Sequence, residues 1–153
     1  MMTVFVFLIL AQFALVASHD LIDVPGWNHG SQVKALMGTR KVWIATAINS
    51  IFPGVAAGMA MYFWHRSPPH FAPNYWLIYC AISLLSAIGM WYIPYWRGAS
   101  ETTRSAYRAM YAGTRHILPA RGDNPRPNVF HMGLHVLFVV NFCLSLSIWL
   151  HRR

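Results

Sequence analysis

Four stretches of this chain, residues 1–17, 42–64, 75–96 and 129–150, contain no Asp, Glu, Lys or Arg. A helix rises about 1.5 Å per residue and the hydrocarbon core of a bilayer is about 30 Å thick, so about 20 apolar residues suffice to cross it. The last three stretches reach that length and the first is marginal. Rings with a polar edge crowd their ends, where such side chains settle at headgroup depth. Trp43, Tyr62, Trp64, Tyr75, Trp76, Tyr95, Trp96 and Trp149 form this girdle. These features predict an all-α integral membrane four-helix bundle, a single transmembrane domain over residues 1–153. With 56% of residues hydrophobic and only 10% charged, no length remains for a soluble catalytic domain.

Charge orients the spans. The first connection holds Lys34, Arg40 and Lys41 and the third holds Arg97, Arg104, Arg108, Arg115, Arg121 and Arg126. The opposite side carries Arg66, Arg152 and Arg153. The positive-inside rule then places both long connections in the cytoplasm and both termini outside. Residues 1–18 end in Val16, Ala17 and Ser18, a small-residue context that a cleaved signal also shows. No cation precedes that apolar run, and cleavage would export the basic connections, so a retained first helix is expected.

Apolar burial does not drive helices together in lipid, so small residues must let backbones approach. In the second stretch Ser50, Gly54 and Gly58 recur at four-residue steps. This stripe is expected to meet either the third helix, near Cys80 and Ser83, or another subunit. Pro53 withholds one backbone donor and frees the carbonyl of Asn49. Cys80 and Cys143 sit at similar depths and are read as two free thiols packed as small hydrophobes.

His131 and His135 are the candidate chemical groups. Side chains four apart project from one face of a helix, so this pair can share a metal ion or flank a tetrapyrrole. Asn49 and Tyr92 are expected at comparable depth, making an inner-leaflet polar cluster, and His116 and His29 share that side. One pair supplies two ligands, whereas a closed zinc site takes four. No other span contains a histidine, which disfavours a bis-histidine haem within one chain. No span holds a carboxylate, which argues against a proton-coupled exporter. Nothing in the spans supplies the partner set for nucleophilic hydrolysis.

Between Arg97 and His116 a helical period puts Arg97, Arg104, Arg108 and Arg115 on one side, predicting an amphipathic cytoplasmic helix that meets lipid headgroups or an acidic partner. The turn after it, rich in Pro and Gly, places Asp123 between Arg121 and Arg126, where a local ion pair is expected. Topology accounts for the formal +8 charge, so nucleic-acid binding is not expected. The sequence therefore reads as a non-enzymatic accessory or assembly subunit of a larger membrane complex, in contact with lipids and with a protein partner or further copies of itself. The alternative is a cofactor-binding, redox-active membrane protein with His131 and His135 as ligands.

Overall fold

The computed structural model describes residues 1–151. Arg152 and Arg153, counted above on the outer side, lie outside the described residues. The chain is mostly helical. It runs through α1 (Met2–Ser18), a hairpin of β1 (Asp23–Val24) and β2 (Asn28–His29), α2 (Gly30–Met37) and α3 (Thr39–Tyr62). Next come α4 (Phe71–Ala87), a π turn (Ile88–Tyr92), α5 (Ile93–Arg97), α6 (Glu101–Tyr111) and α7 (Val129–Leu150). Helix α4, the π turn and α5 are one continuous rod. That rod, α3 and α7 are each long and apolar enough to cross a membrane, while α1 is apolar but only 17 residues long. Three helices, rather than four, therefore meet the length criterion.

One face of helix α1 is nevertheless buried against the others. Phe5, Val6, Ile9 and Gln12 are fully buried, and the helix packs against α3 and α7 and meets α4 where Phe5 lies edge-on to Trp76. The Gln12 amide donates to the Tyr79 hydroxyl (2.7 Å) and accepts from Asn141 Nδ2 (2.7 Å). Asn141 Nδ2 also donates to the Leu8 carbonyl (3.2 Å). Without water nearby, polar groups must satisfy one another, and each such interhelical bond contributes roughly 0.6–2 kcal/mol. Three helices are thus joined at one depth. Trp76 and Tyr75 then fasten α4 to α3 by donating to the Ala56 and Phe52 carbonyls, both at 3.1 Å.

Of the small-residue stripe on α3, Gly54 faces α1. A Cβ on Gly54 would stand 3.3 Å from the Phe13 ring, whereas one on Gly58 would meet nothing within 4 Å. The Ser50 hydroxyl donates back to its own helix at the Thr46 carbonyl. Close packing on this helix falls instead to Ala56, Ala57 and Ala60. Cys80 is buried and Cys143 exposed, and both are free thiols.

Both long connections fold onto the same end of the helices. Arg115 N–H donates to the Gly26 carbonyl (2.7 Å) and Val129 N–H to the Arg115 carbonyl (2.9 Å), stitching first connection to third. Lys34 Nζ reaches the Leu21 carbonyl, and the Asp23 carboxylate accepts from Ser31 N–H, a bond that holds its pKa below the usual value. At Gly30 a Cβ would come within 2.8 Å of the Leu21 and Ile22 backbone, so the return from β2 into α2 requires glycine there. Nine of the twelve Lys and Arg residues and all four carboxylates belong to this end, leaving it a formal +5.

Gly54→Leu should force Phe13 aside and destabilise the fold by about 1–3 kcal/mol, while Gly58→Leu should change stability by less than about 0.5 kcal/mol. Thermal unfolding of the detergent-solubilised variants measures both.

Candidate functional site: the histidine–aromatic cluster

Helix α7 begins at Asn128, whose Oδ1 accepts from the His131 backbone N–H (2.9 Å) and lies 2.9 Å from His131 Nδ1. An amide oxygen only accepts, so Nδ1 carries the proton and Nε2 keeps its lone pair. One turn on, His135 Nδ1 lies 3.2 Å from the Tyr92 hydroxyl. That hydroxyl also stands 3.5 Å from Met132 Sδ.

The π turn explains how Trp91 and Tyr92, adjacent in sequence, both reach α7. Ile93 N–H bonds to the Ile88 carbonyl five residues back, so one extra residue is accommodated and consecutive side chains turn inward. The Trp91 ring lies 4.5 Å from His131, 4.8 Å from Tyr107, 5.6 Å from Tyr111 and 5.9 Å from His135, centroid to centroid. His19, just beyond α1, sets its ring edge-on to His131 at 5.5 Å. Its nitrogens face the Val16 carbonyl (2.8 Å) and the Asp20 carboxylate (3.3 Å).

The structure brings His131, His135 and Tyr92 together and adds His19, Trp91, Tyr107 and Tyr111. Asn49 does not join them; it is exposed on α3. Neither do His29 and His116. The His116 nitrogens face the Pro127 carbonyl (3.2 Å) and the Thr114 hydroxyl (3.4 Å) in the loop above. His131 and His135 stand 6.4 Å apart, and among the described residues no three or more His, Cys, Asp or Glu side chains converge as a metal would require. His135 and Tyr92 also touch an open, apolar groove of about 420 Å³ between α4 and α7, walled by Leu84, Ile88, Val136 and Val140. His19 had one signal in the sequence: it directly follows the first apolar run, at the end where α7 begins.

The basic connection departs from the helix expected over residues 97–116. Gly98 (φ 92°) and Gly113 (φ 75°) take backbone angles that stop a helix, so α6 covers only Glu101–Tyr111. The Ser100 hydroxyl caps it by accepting from Thr103 N–H. Arg97 ends α5, and the Arg115 side chain lies along Gly26, so of the four arginines expected on one stripe only Arg104 and Arg108 share α6. Both bond Glu101, and the Arg108 bond holds that carboxyl below its ordinary pKa. Asp123 pairs with Arg108 (3.4 Å), not with Arg121 or Arg126. Arg121 instead lies over the Trp96 ring (4.3 Å), and Arg126 donates to the Leu118 carbonyl (3.0 Å). Tyr107 and Tyr111 form the inner face of α6, where burial raises both phenol pKa values.

Fold and site define a small helical protein with three helices suited to a membrane and a histidine–aromatic cluster beneath an ordered basic end. No family model, no curated protein and no solved structure matches it.

Asn128→Ala removes both the helix cap and the acceptor of His131 and should cost about 1–2 kcal/mol, read by thermal unfolding. Burial, aided by the Arg126 charge and opposed by the Pro127 carbonyl, holds the His116 pKa below its ordinary 6.5. A lowered imidazole pKa means that the unfolded loop binds the proton more readily. The contribution is therefore full above pH 6.5 and declines as the pH falls below it. Proteolysis of residues 117–127 should accelerate on acidification, and His116→Asn should flatten that dependence.

Proposed function

We propose that this chain is a multi-pass membrane protein in which α1, α3, the α4–α5 rod and α7 make a four-helix bundle, with both long connections in the cytoplasm and both termini outside. It acts as an accessory or assembly subunit of a larger membrane complex and has no catalysis of its own. The observation that carries this reading is the contrast between its interior and its surface. His131, His135, Trp91, Tyr107 and Tyr111 close on one another, whereas the apolar faces of the long helices stay exposed beside an ordered basic end. Asn49 adds to it: an exposed amide whose carbonyl has lost its helical donor to Pro53, on an apolar helix, is a group that a neighbouring membrane helix would satisfy. Arg97, Arg104, Arg108 and Arg115 would face headgroups or an acidic partner on the cytoplasmic side. Gentle detergent extraction should recover the chain in a complex well above its 17.4 kDa mass. A stable, partner-free monomer would overturn the reading.

A second reading, a metal ion or tetrapyrrole on His131 and His135, is favoured by the tautomer of His131, which leaves Nε2 able to ligate, and by the apolar groove beside His135. It predicts an absorbance or metal signal in purified protein that disappears in the His131→Ala, His135→Ala double variant. Colourless, metal-free protein at full yield would remove it.

A further inference from the structure

A second cavity, of about 240 Å³, opens between α6 and the loop that follows it. At roughly 30 Å³ per water it holds several waters or one phosphate with its first ester group. Arg104, Arg108 and Arg126 line it against a single carboxylate, Asp123, so its walls are net positive. Their donors are not exhausted. A guanidinium carries five N–H groups, and Arg126 directs one nitrogen to the Leu118 carbonyl. Arg104 engages only Glu101, which stands outside the cavity.

The inner wall is made by Tyr107 and Tyr111. Their rings are fixed against Trp91 and His131, yet neither hydroxyl bonds another described residue. Phenols that line a cationic cavity without a protein acceptor can serve as neutral donors to an oxyanion, with the Asp20 carboxylate bearing on Tyr111 from outside the cavity. The cavity is also preformed. The Tyr95 hydroxyl donates to the Pro119 carbonyl (3.0 Å), and Asn124 Nδ2 donates back to the Tyr95 carbonyl (3.1 Å), so the loop is tied to the end of the long rod. A site organised beforehand binds without the cost of ordering its own donors. The tyrosines rest on Trp91 and His131 at the ends of the apolar helices, so on the membrane reading the cavity would stand at headgroup depth.

We propose that this cavity binds a phosphate group, with Arg104, Arg108 and Arg126 as its cationic donors and the Tyr107 and Tyr111 hydroxyls as its neutral ones. The phosphate can belong to an anionic lipid headgroup or to a soluble ester. The proposal rests on the membrane reading of the helices only for the lipid source, and not at all on the subunit role.

Native mass spectrometry of the full chain in detergent, titrated with phosphatidic acid, phosphatidylcholine and glycerol phosphate, tests it. One equivalent of phosphatidic acid should be retained in preference to phosphatidylcholine. Arg126→Gln and Tyr107→Phe should each weaken retention about tenfold, the effect of one hydrogen bond to a charged group. Tyr107→Phe keeps the ring packing, which covers the case in which Arg126→Gln disorders the loop. Arg121→Gln, on the same end but stacked on Trp96, should leave retention unchanged. Displacement of the lipid by glycerol phosphate assigns a soluble ester as the source, and no displacement assigns the lipid. The proposal is overturned if neither phosphatidic acid nor glycerol phosphate is retained in preference to phosphatidylcholine, if Arg121→Gln weakens retention as much as Arg126→Gln does, or if Tyr107→Phe and Arg126→Gln both bind as wild type. A partner-free monomer that retains phosphatidic acid would overturn the subunit role and leave the cavity standing.

Discussion

An amide buried away from water has to find its partners inside the protein, and Gln12 meets that requirement between two other helices at once. Much of the architecture depends on the meeting of Gln12, Tyr79 and Asn141. It fixes the height of α1 against α4 and α7, and the height of α1 fixes where the chain leaves it. His19 then arrives beside His131, and the first connection begins at the level where the third one ends. A leucine at residue 12 would fit the same apolar run and specify none of this. Polar contacts in a dry interior add modest energy, yet they select one register from several that apolar packing alone would accept.

The long helices were legible because their signal is local. Runs without charge, bounded by aromatic rings, sit within a residue or a few of the helix ends at Tyr62, Phe71, Val129 and Leu150. The nearness of His135 to Tyr92 was legible too, since depth follows from the rise per residue. Azimuth was not. Asn49 shares that depth but is exposed, because which side of α3 meets α1 depends on tertiary contacts that periodicity does not contain. His19 was missed for a related reason: it belongs to the cluster only once α1 and α7 lie side by side. The arginine stripe failed at two glycines, whose positive φ angles cut a continuous helical period into separate pieces. Asp123 has two arginines near it in sequence, yet its partner Arg108 lies fifteen residues away, brought there by the fold of the loop.

The two ends of the molecule differ in construction as well as in charge. At one, Trp64 reaches Thr3 and Trp149 reaches Asn74, side chain to side chain between helix tips. At the other, the two connections are joined through backbone bonds at Gly26, Arg115 and Val129, with Arg115 laid over a glycine that leaves room for it. Backbone contacts of this kind hold a surface in one shape whatever side chains it displays. They fix the points from which the arginines of this end extend, and so reduce the conformations the basic surface can adopt.

The π turn has a consequence for how the long rod is phased. An unbroken α-helix advances each residue by about 100°, so one residue accommodated between Ile88 and Tyr92 rotates everything after it by about that angle relative to everything before. The half of the rod before the π turn is thereby set to face α3 through Tyr75 and Trp76, and the half that begins in it, independently, to present Trp91, Tyr92 and Tyr95 to the cluster and the loop. Two segments with different facing requirements share one helix, and a single surplus residue acts as the gear between them. Losing it would rotate the end of the helix toward the wrong neighbour.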